Sequence, residues 1–175
     1  STGNMLVDNF QVLNNIFSNV EGLIAVHCED EETIRANSLL AKEKYGAHVP
    51  IIEHPKIRSH DACFKSSSLA VSLAKKYSSR LHVLHISTAK ELELFTNKVP
   101  LSEKKITSEV CIHHLTFTDD DYTEKGAFIK WNPAVKTADD QRALWNGLLN
   151  DKLDIIATDH APHTLNEKNN LYFQC

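Results

Sequence analysis

Short apolar runs that end in a polar or histidine-bearing tip, each followed by an amphipathic stretch, recur along this chain and leave it few folds to adopt. LIAVHCED (residues 23–30) reads as a strand in which Ile24 and Val26 alternate with Ala25 and His27. RLHVLHIS (80–87) reads as a second strand, ending in His85. ITSEVCIHHLTF (106–117) reads as a third, with Thr107, Glu109, Cys111 and His113 on one face and Val110 and Ile112 on the other. FIKWNPAVKT (128–137) reads as a short strand broken by Pro133, and DIIATD (154–159) as the last.

The stretches between them carry helical signals. Asp30 is placed to cap a helix whose apolar face uses Ile34, Leu39, Leu40 and Ala41. Leu69, Ala70, Leu73, Ala74 and Tyr77 form one stripe of a helix over about 60–78. A further helix is expected near 88–97. Thr137 caps another that runs to about Asn150, with Leu144, Trp145, Leu148 and Leu149 inward. Pro50 and Pro55 make 48–59 an ordered loop or edge segment, and 118–126 is a loop.

Alternating strands and helices imply an α/β fold with a parallel sheet. An eight-stranded β/α barrel takes about 250 residues. At 175 residues, the chain reads as a partial (β/α)8 TIM-type barrel, about the last five strands and their helices. Residues 1–175 are then a portion of a single barrel domain, with N-terminal strands and C-terminal elements missing. A hydrophobic content of 42% supplies a real core. A net charge of −4 gives no sign of attraction to nucleic acid or membranes, and no apolar run approaches the roughly 20 residues of a bilayer span. Cys28, Cys63, Cys111 and Cys175 are widely spaced with no C-x-x-C pair, which argues against disulfides and for a reducing cytoplasm.

Ten histidines make the chain rich in metal-binding side chains. In parallel barrels the active site is built at the C-terminal strand tips. His27, His85 and Asp159 end three of the expected strands. Imidazole and carboxylate suit zinc, and catalytic zinc keeps one position open for water. These three residues therefore form a coherent half of a metal centre. His82, three positions before His85, is expected on the opposite face in a structural role. His160 follows Asp159 and is expected to point away from the mouth. Glu29 and Asp30 read as helix-start residues. Asp119–Asp121 reads as a solvated loop, Trp131 and Trp145 as packing residues, and Cys28 and Cys111 as buried thiols.

DIIATDHAPHT at 154–164 resembles the last-strand motif of dihydroorotases, metal-dependent cyclic amide hydrolases of the amidohydrolase superfamily. LIAVHCED and RLHVLHISTAKELE resemble two of that family's histidine-ligand strands, SEVCIHHLTF a neighbouring segment, and WNPAVKT its asparagine–proline segment. The resemblance implies that His27, His85 and Asp159 bind metal and that Asp159 shuttles the proton. It implies that Asn132 hydrogen-bonds substrate and that His163 contacts the substrate carboxylate. His113 or His114 would shape the pocket. It further implies zinc, two ions in the complete enzyme. The reaction would be the reversible hydrolysis and cyclisation between L-dihydroorotate and N-carbamoyl-L-aspartate in de novo pyrimidine biosynthesis, by metal-activated hydroxide. The expected partner is that small-molecule substrate, with no nucleic acid and no membrane, and a homodimer is left open. The family's first-strand His-x-His pair, its adjacent arginine and its bridging residue are not in this sequence. The bridging residue is expected a few positions upstream of Ser1, and the 175 residues alone are expected to be inactive. Two other readings stand beside this one. The first is an allantoinase or hydantoinase-type cyclic amide hydrolase, and the second is a catalytically inactive dihydroorotase-like scaffold.

Overall fold

The computed structural model describes Val7 and residues 9–174. The opening stretch 1–6, Asp8 and Cys175 lie outside the described residues. In chain order the elements are α1 (Phe10–Asn19), β1 (Leu23–Val26), α2 (Glu31–Tyr45), α3 (His54–Ile57), α4 (His60–Tyr77), β2 (Arg80–Val83), β3 (Ile106–Cys111), α5 (Ile112–Thr116), α6 (Tyr122–Lys125), α7 (Ala138–Leu149), β4 (Ile155–Ala157) and α8 (Leu165–Lys168). Short 3-10 turns occur between them, including Ile51–Glu53 and Lys90–Leu94.

The four strands form one parallel sheet in sequence order. Ile24 pairs with Leu81, Leu81 with Ile106, and Glu109 with Ile155. Period-two alternation then sorts the side chains. Ile24, Leu81, Val83 and Val110 face a core completed by Phe17 of α1, Val71, Leu73 and Ala74 of α4, and Leu144 of α7. Each fully buried Val, Leu or Phe side chain among these stabilises the fold by roughly 1.5–3 kcal/mol. The opposite face carries the polar His82, Thr107 and Glu109 between Ala25 at one side and Ile155 at the other. A sheet with helices over one face and a polar second face is a sector of barrel wall seen from outside and inside.

Local capping starts the main helices. Asp30 accepts from the Thr33 amide, Ser59 from that of Ala62, and Thr137 forms a capping box with Asp140. At the start of β4, Asp154 is fastened from two sides. Its Oδ1 accepts from Lys104 Nζ at 2.6 Å and its Oδ2 from the Ser108 amide at 2.9 Å.

Several expectations need correction. The run 106–117 is not one strand: β3 stops at Cys111 and the chain turns into α5. Residues 128–137 form no strand, so among the described residues the sheet has four strands where five were expected. Pro133 cannot donate to a ladder, and the segment's polar groups bond elsewhere: the Trp131 carbonyl accepts from His54 and the Pro133 carbonyl from His114. The helix near 88–97 is only the 3-10 turn Lys90–Leu94, and 48–59, read as an ordered loop or edge segment, holds the 3-10 turn Ile51–Glu53 and the short helix α3. Leu39 and Leu40 are exposed, because α2 packs through Ile34 and Ala41, one heptad apart. Likewise α7 packs through Leu144 and Gly147, leaving Leu149 exposed. Trp145 sits at the edge of that contact, donating its indole N–H to the Leu115 carbonyl at 2.9 Å.

Candidate metal centre at the strand tips

β1 and β2 end side by side, at Val26 and Val83. The Leu84 amide continues the ladder to the Val26 carbonyl at 3.0 Å. His85 then leaves the sheet with φ 39°, in the left-handed region that residues other than glycine occupy uncommonly. Its ring reaches His27 edge-on, with centroids 4.7 Å apart. Nδ1 of His27 and Nε2 of His85 approach to 2.8 Å. Asp159 also sits at positive φ, 45°, two residues past the end of β4. Such backbone is costly and collects at functional sites.

Glu29 sits behind His27. Its carboxylate, side chain 1% exposed, lies 3.3 Å from His27 Nε2 and is bonded by Arg58. Burial would raise the Glu29 carboxyl, but the His27 hydrogen bond and the Arg58 charge outweigh it and hold it at about 2. Nε2–H of His27 therefore donates to Glu29, leaving Nδ1 as the lone-pair nitrogen turned to His85. Burial, helped by the neighbouring His27, lowers His85 to about 4, so its ring is neutral at pH 7. The nearby charge of Asp159 opposes that shift. Two imidazoles with facing nitrogens, one fastened from behind by a carboxylate, fit a cation such as zinc. Glu29 Oε1 is buried without a partner, which adds unspent negative potential to the site.

Of the residues singled out in the sequence, His27 and His85 are brought into contact. Asp159 is exposed and acts on His85, Cys111 and His113 through its charge. Asn132 is exposed, ahead of a cis peptide to Pro133. His163 is exposed in the segment before α8, 3.8 Å from Glu167. The last two are not gathered to the ring pair.

His82 is buried, with Nδ1 2.8 Å from Thr107 Oγ1 and Nε2 3.0 Å from Glu109 Oε2. Glu109 Oε1 also accepts from the His85 amide at 3.4 Å. Strand parity does not carry from His82 to His85, because β2 ends at Val83. Reading the sequence missed Glu29, Arg58 and Glu109. Glu29 has a weak signal, two positions after His27. Nothing local announces Arg58, 29 residues further on.

No protein-family model matches the chain. It is 37% identical over 145 residues, 83% of its length, to a dihydroorotase of Fusobacterium nucleatum subsp. nucleatum. It is 34% identical over 169 residues, 96% of its length, to a dihydroorotase of Pyrococcus abyssi. It spans about a third of each relative, 33% and 35%. Its fold matches the L-hydantoinase (dihydropyrimidinase) from Arthrobacter aurescens with a TM-score of 0.80 and 26% identity, over 90% of this chain and 35% of that one. Fold and strand tips define part of an amidohydrolase-type β/α barrel. Within that class the chain is, by sequence, a relative of the dihydroorotases. Among the described residues no helix is long and apolar enough to cross a membrane.

Proposed function

We propose that this chain carries part of the active site of a metal-dependent dihydroorotase, which interconverts L-dihydroorotate and N-carbamoyl-L-aspartate in de novo pyrimidine biosynthesis. The observation that carries the reading is the 2.8 Å approach of His27 Nδ1 and His85 Nε2 at adjacent strand tips. The sequence kinship with dihydroorotases supports the choice of substrate.

When bound, zinc supplies Lewis acidity toward an amide carbonyl and toward water. His27 and His85 are the residues of this chain that would hold it, with Asp159 contributing a carboxylate. Glu29 fixes the His27 tautomer so that Nδ1 keeps its lone pair. Asp159 takes the proton of the attacking water and returns it to the leaving amide nitrogen. In the cyclising direction the same carboxylate accepts the ureido proton. Asn132 and His163 offer hydrogen bonds to the substrate's polar and carboxylate groups. The domain is a portion of a single barrel. The protein is proposed to act in the cytoplasm on a small molecule, without nucleic acid or membrane, and a homodimer is compatible with this.

A second reading, a hydantoinase-type cyclic amide hydrolase, is favoured by the fold match to the Arthrobacter enzyme. Turnover assays of the intact protein on dihydroorotate, hydantoin and allantoin separate the two. Turnover of dihydroorotate alone is expected, lost with a chelator and restored by zinc. Preferential hydrolysis of hydantoin or allantoin would replace the dihydroorotase assignment.

A further inference from the structure

We propose that Cys111, His113 and His114 form a second metal site, for one borderline divalent ion such as zinc or cobalt. None of the three belongs to the His27–His85 pair. The thiol sulfur and one nitrogen from each ring lie within 4.8 Å of one another. The local fold explains the convergence. Cys111 is the last residue of β3, and His113 and His114 lie in the first turn of α5, so the strand-to-helix reversal folds three neighbouring side chains onto one point.

His114 supplies the independent observation. It is buried, and its Nε2–H donates to the Pro133 carbonyl at 3.0 Å. Its Nδ1 is left with a lone pair and no partner. A buried, unpaired acceptor is rare in a folded protein. An imidazole with one nitrogen tied to a backbone carbonyl and the other free is the arrangement that metal-ligating histidines adopt. The His113 ring is held against His114 and Trp131, with centroids 4.3 and 4.4 Å away. Cys111 and His114 are buried and His113 is half-buried, so an ion would enter along the His113 edge.

One thiol and two imidazoles suit zinc or cobalt and reject magnesium, which requires oxygen ligands. Binding forms the Sγ–metal bond as the S–H bond breaks, and one proton leaves to solvent for each ion. Three protein ligands leave a fourth position for water.

The test is optical and independent of turnover. The intact protein, stripped of metal, is titrated with cobalt(II). A sulfur-to-cobalt charge-transfer band in the near ultraviolet is expected, its plateau intensity corresponding to one thiolate-bound ion per chain, apart from any cobalt taken up at the strand tips. Cys111→Ser should abolish the band and Cys28→Ser should keep it. His113→Gln, at a half-exposed ring, should weaken binding read at the band by at least about tenfold, and it decides the matter should Cys111→Ser not fold. Excess magnesium should leave the band unchanged. Absence of a sulfur band in the wild-type protein, its survival in Cys111→Ser, or unaltered affinity in His113→Gln would overturn the proposal. Each of these results leaves the dihydroorotase reading to its own turnover assay.

Discussion

Glu29 grips His27 from behind, 3.3 Å from Nε2, while Arg58 grips Glu29 in turn. The ring therefore has one orientation and one tautomer, with Nδ1 toward His85. Removing the carboxylate frees both. Glu29→Gln is expected to weaken zinc binding at the strand tips by about 10–100-fold, the usual cost of losing such a support. Competition against a chelator measures it, and unchanged affinity in the folded variant would discard the orienting role.

The same carboxylate makes stability depend on acid. Folded Glu29 titrates at about 2, below its ordinary 4.5. Its contribution is complete above pH 4.5 and is lost as pH falls from there toward 2. That contribution is on the order of 3 kcal/mol at full titration. Urea unfolding at pH 5 and pH 3 should show wild type losing more stability than Glu29→Gln. Equal losses would mean that the carboxylate is not held by its partners.

His54 governs a higher window. It is fully buried, with Nδ1 2.7 Å from the Tyr172 hydroxyl and Nε2 2.8 Å from the Trp131 carbonyl. Burial lowers it to about 3, so the unfolded chain takes up this proton first as pH falls below 6.5. Stability should decline from pH 6.5 downward in the metal-free protein, with His85 and His113, both lowered to about 4, adding in the same direction. His54→Gln should flatten the slope between pH 6.5 and 4.5. A slope unchanged in that variant would show that the imidazole is not the group responsible.

Asp159 is exposed, so replacing it should spare the fold and strike the chemistry. Asp159→Asn is expected to lower kcat on dihydroorotate by about 10²–10⁴-fold, the range of lost general acid–base catalysis, with thermal unfolding shifted little. A variant with near-normal turnover would remove Asp159 from the proton-transfer role.

Lys104 and Asp154 form an ion pair with both side chains at 3% exposure or less. Asp154→Ala leaves the ammonium buried and frees the Ser108 amide, and should cost about 3–5 kcal/mol in chemical denaturation. Replacing both partners with apolar residues should cost much less. Equal losses would show that the charge pairing itself is not what matters.

What the sequence could determine alone is what chemistry between near neighbours decides. Asp30 and Thr137 are legible as caps because a cap bonds an amide two or three residues on. The α/β alternation and the strands leading to His27 and His85 are legible because side-chain direction repeats every two residues. Tertiary structure alone decided the rest, because the deciding partner is remote or the local rule stops. Strand periodicity carries no information past Cys111, where the chain turns into α5 and gathers Cys111, His113 and His114. Leu39 and Leu40 read as core, yet only the position of the neighbouring elements makes Ile34 and Ala41 the buried stripe. The contact of His27 with His85 crosses 58 residues and follows from the register of Ile24 on Leu81. The bond between Glu29 and Arg58 spans 29 residues and joins the end of β1 to the end of α3. Propensity and periodicity act along the chain, whereas register and burial are set by whichever segments share the core.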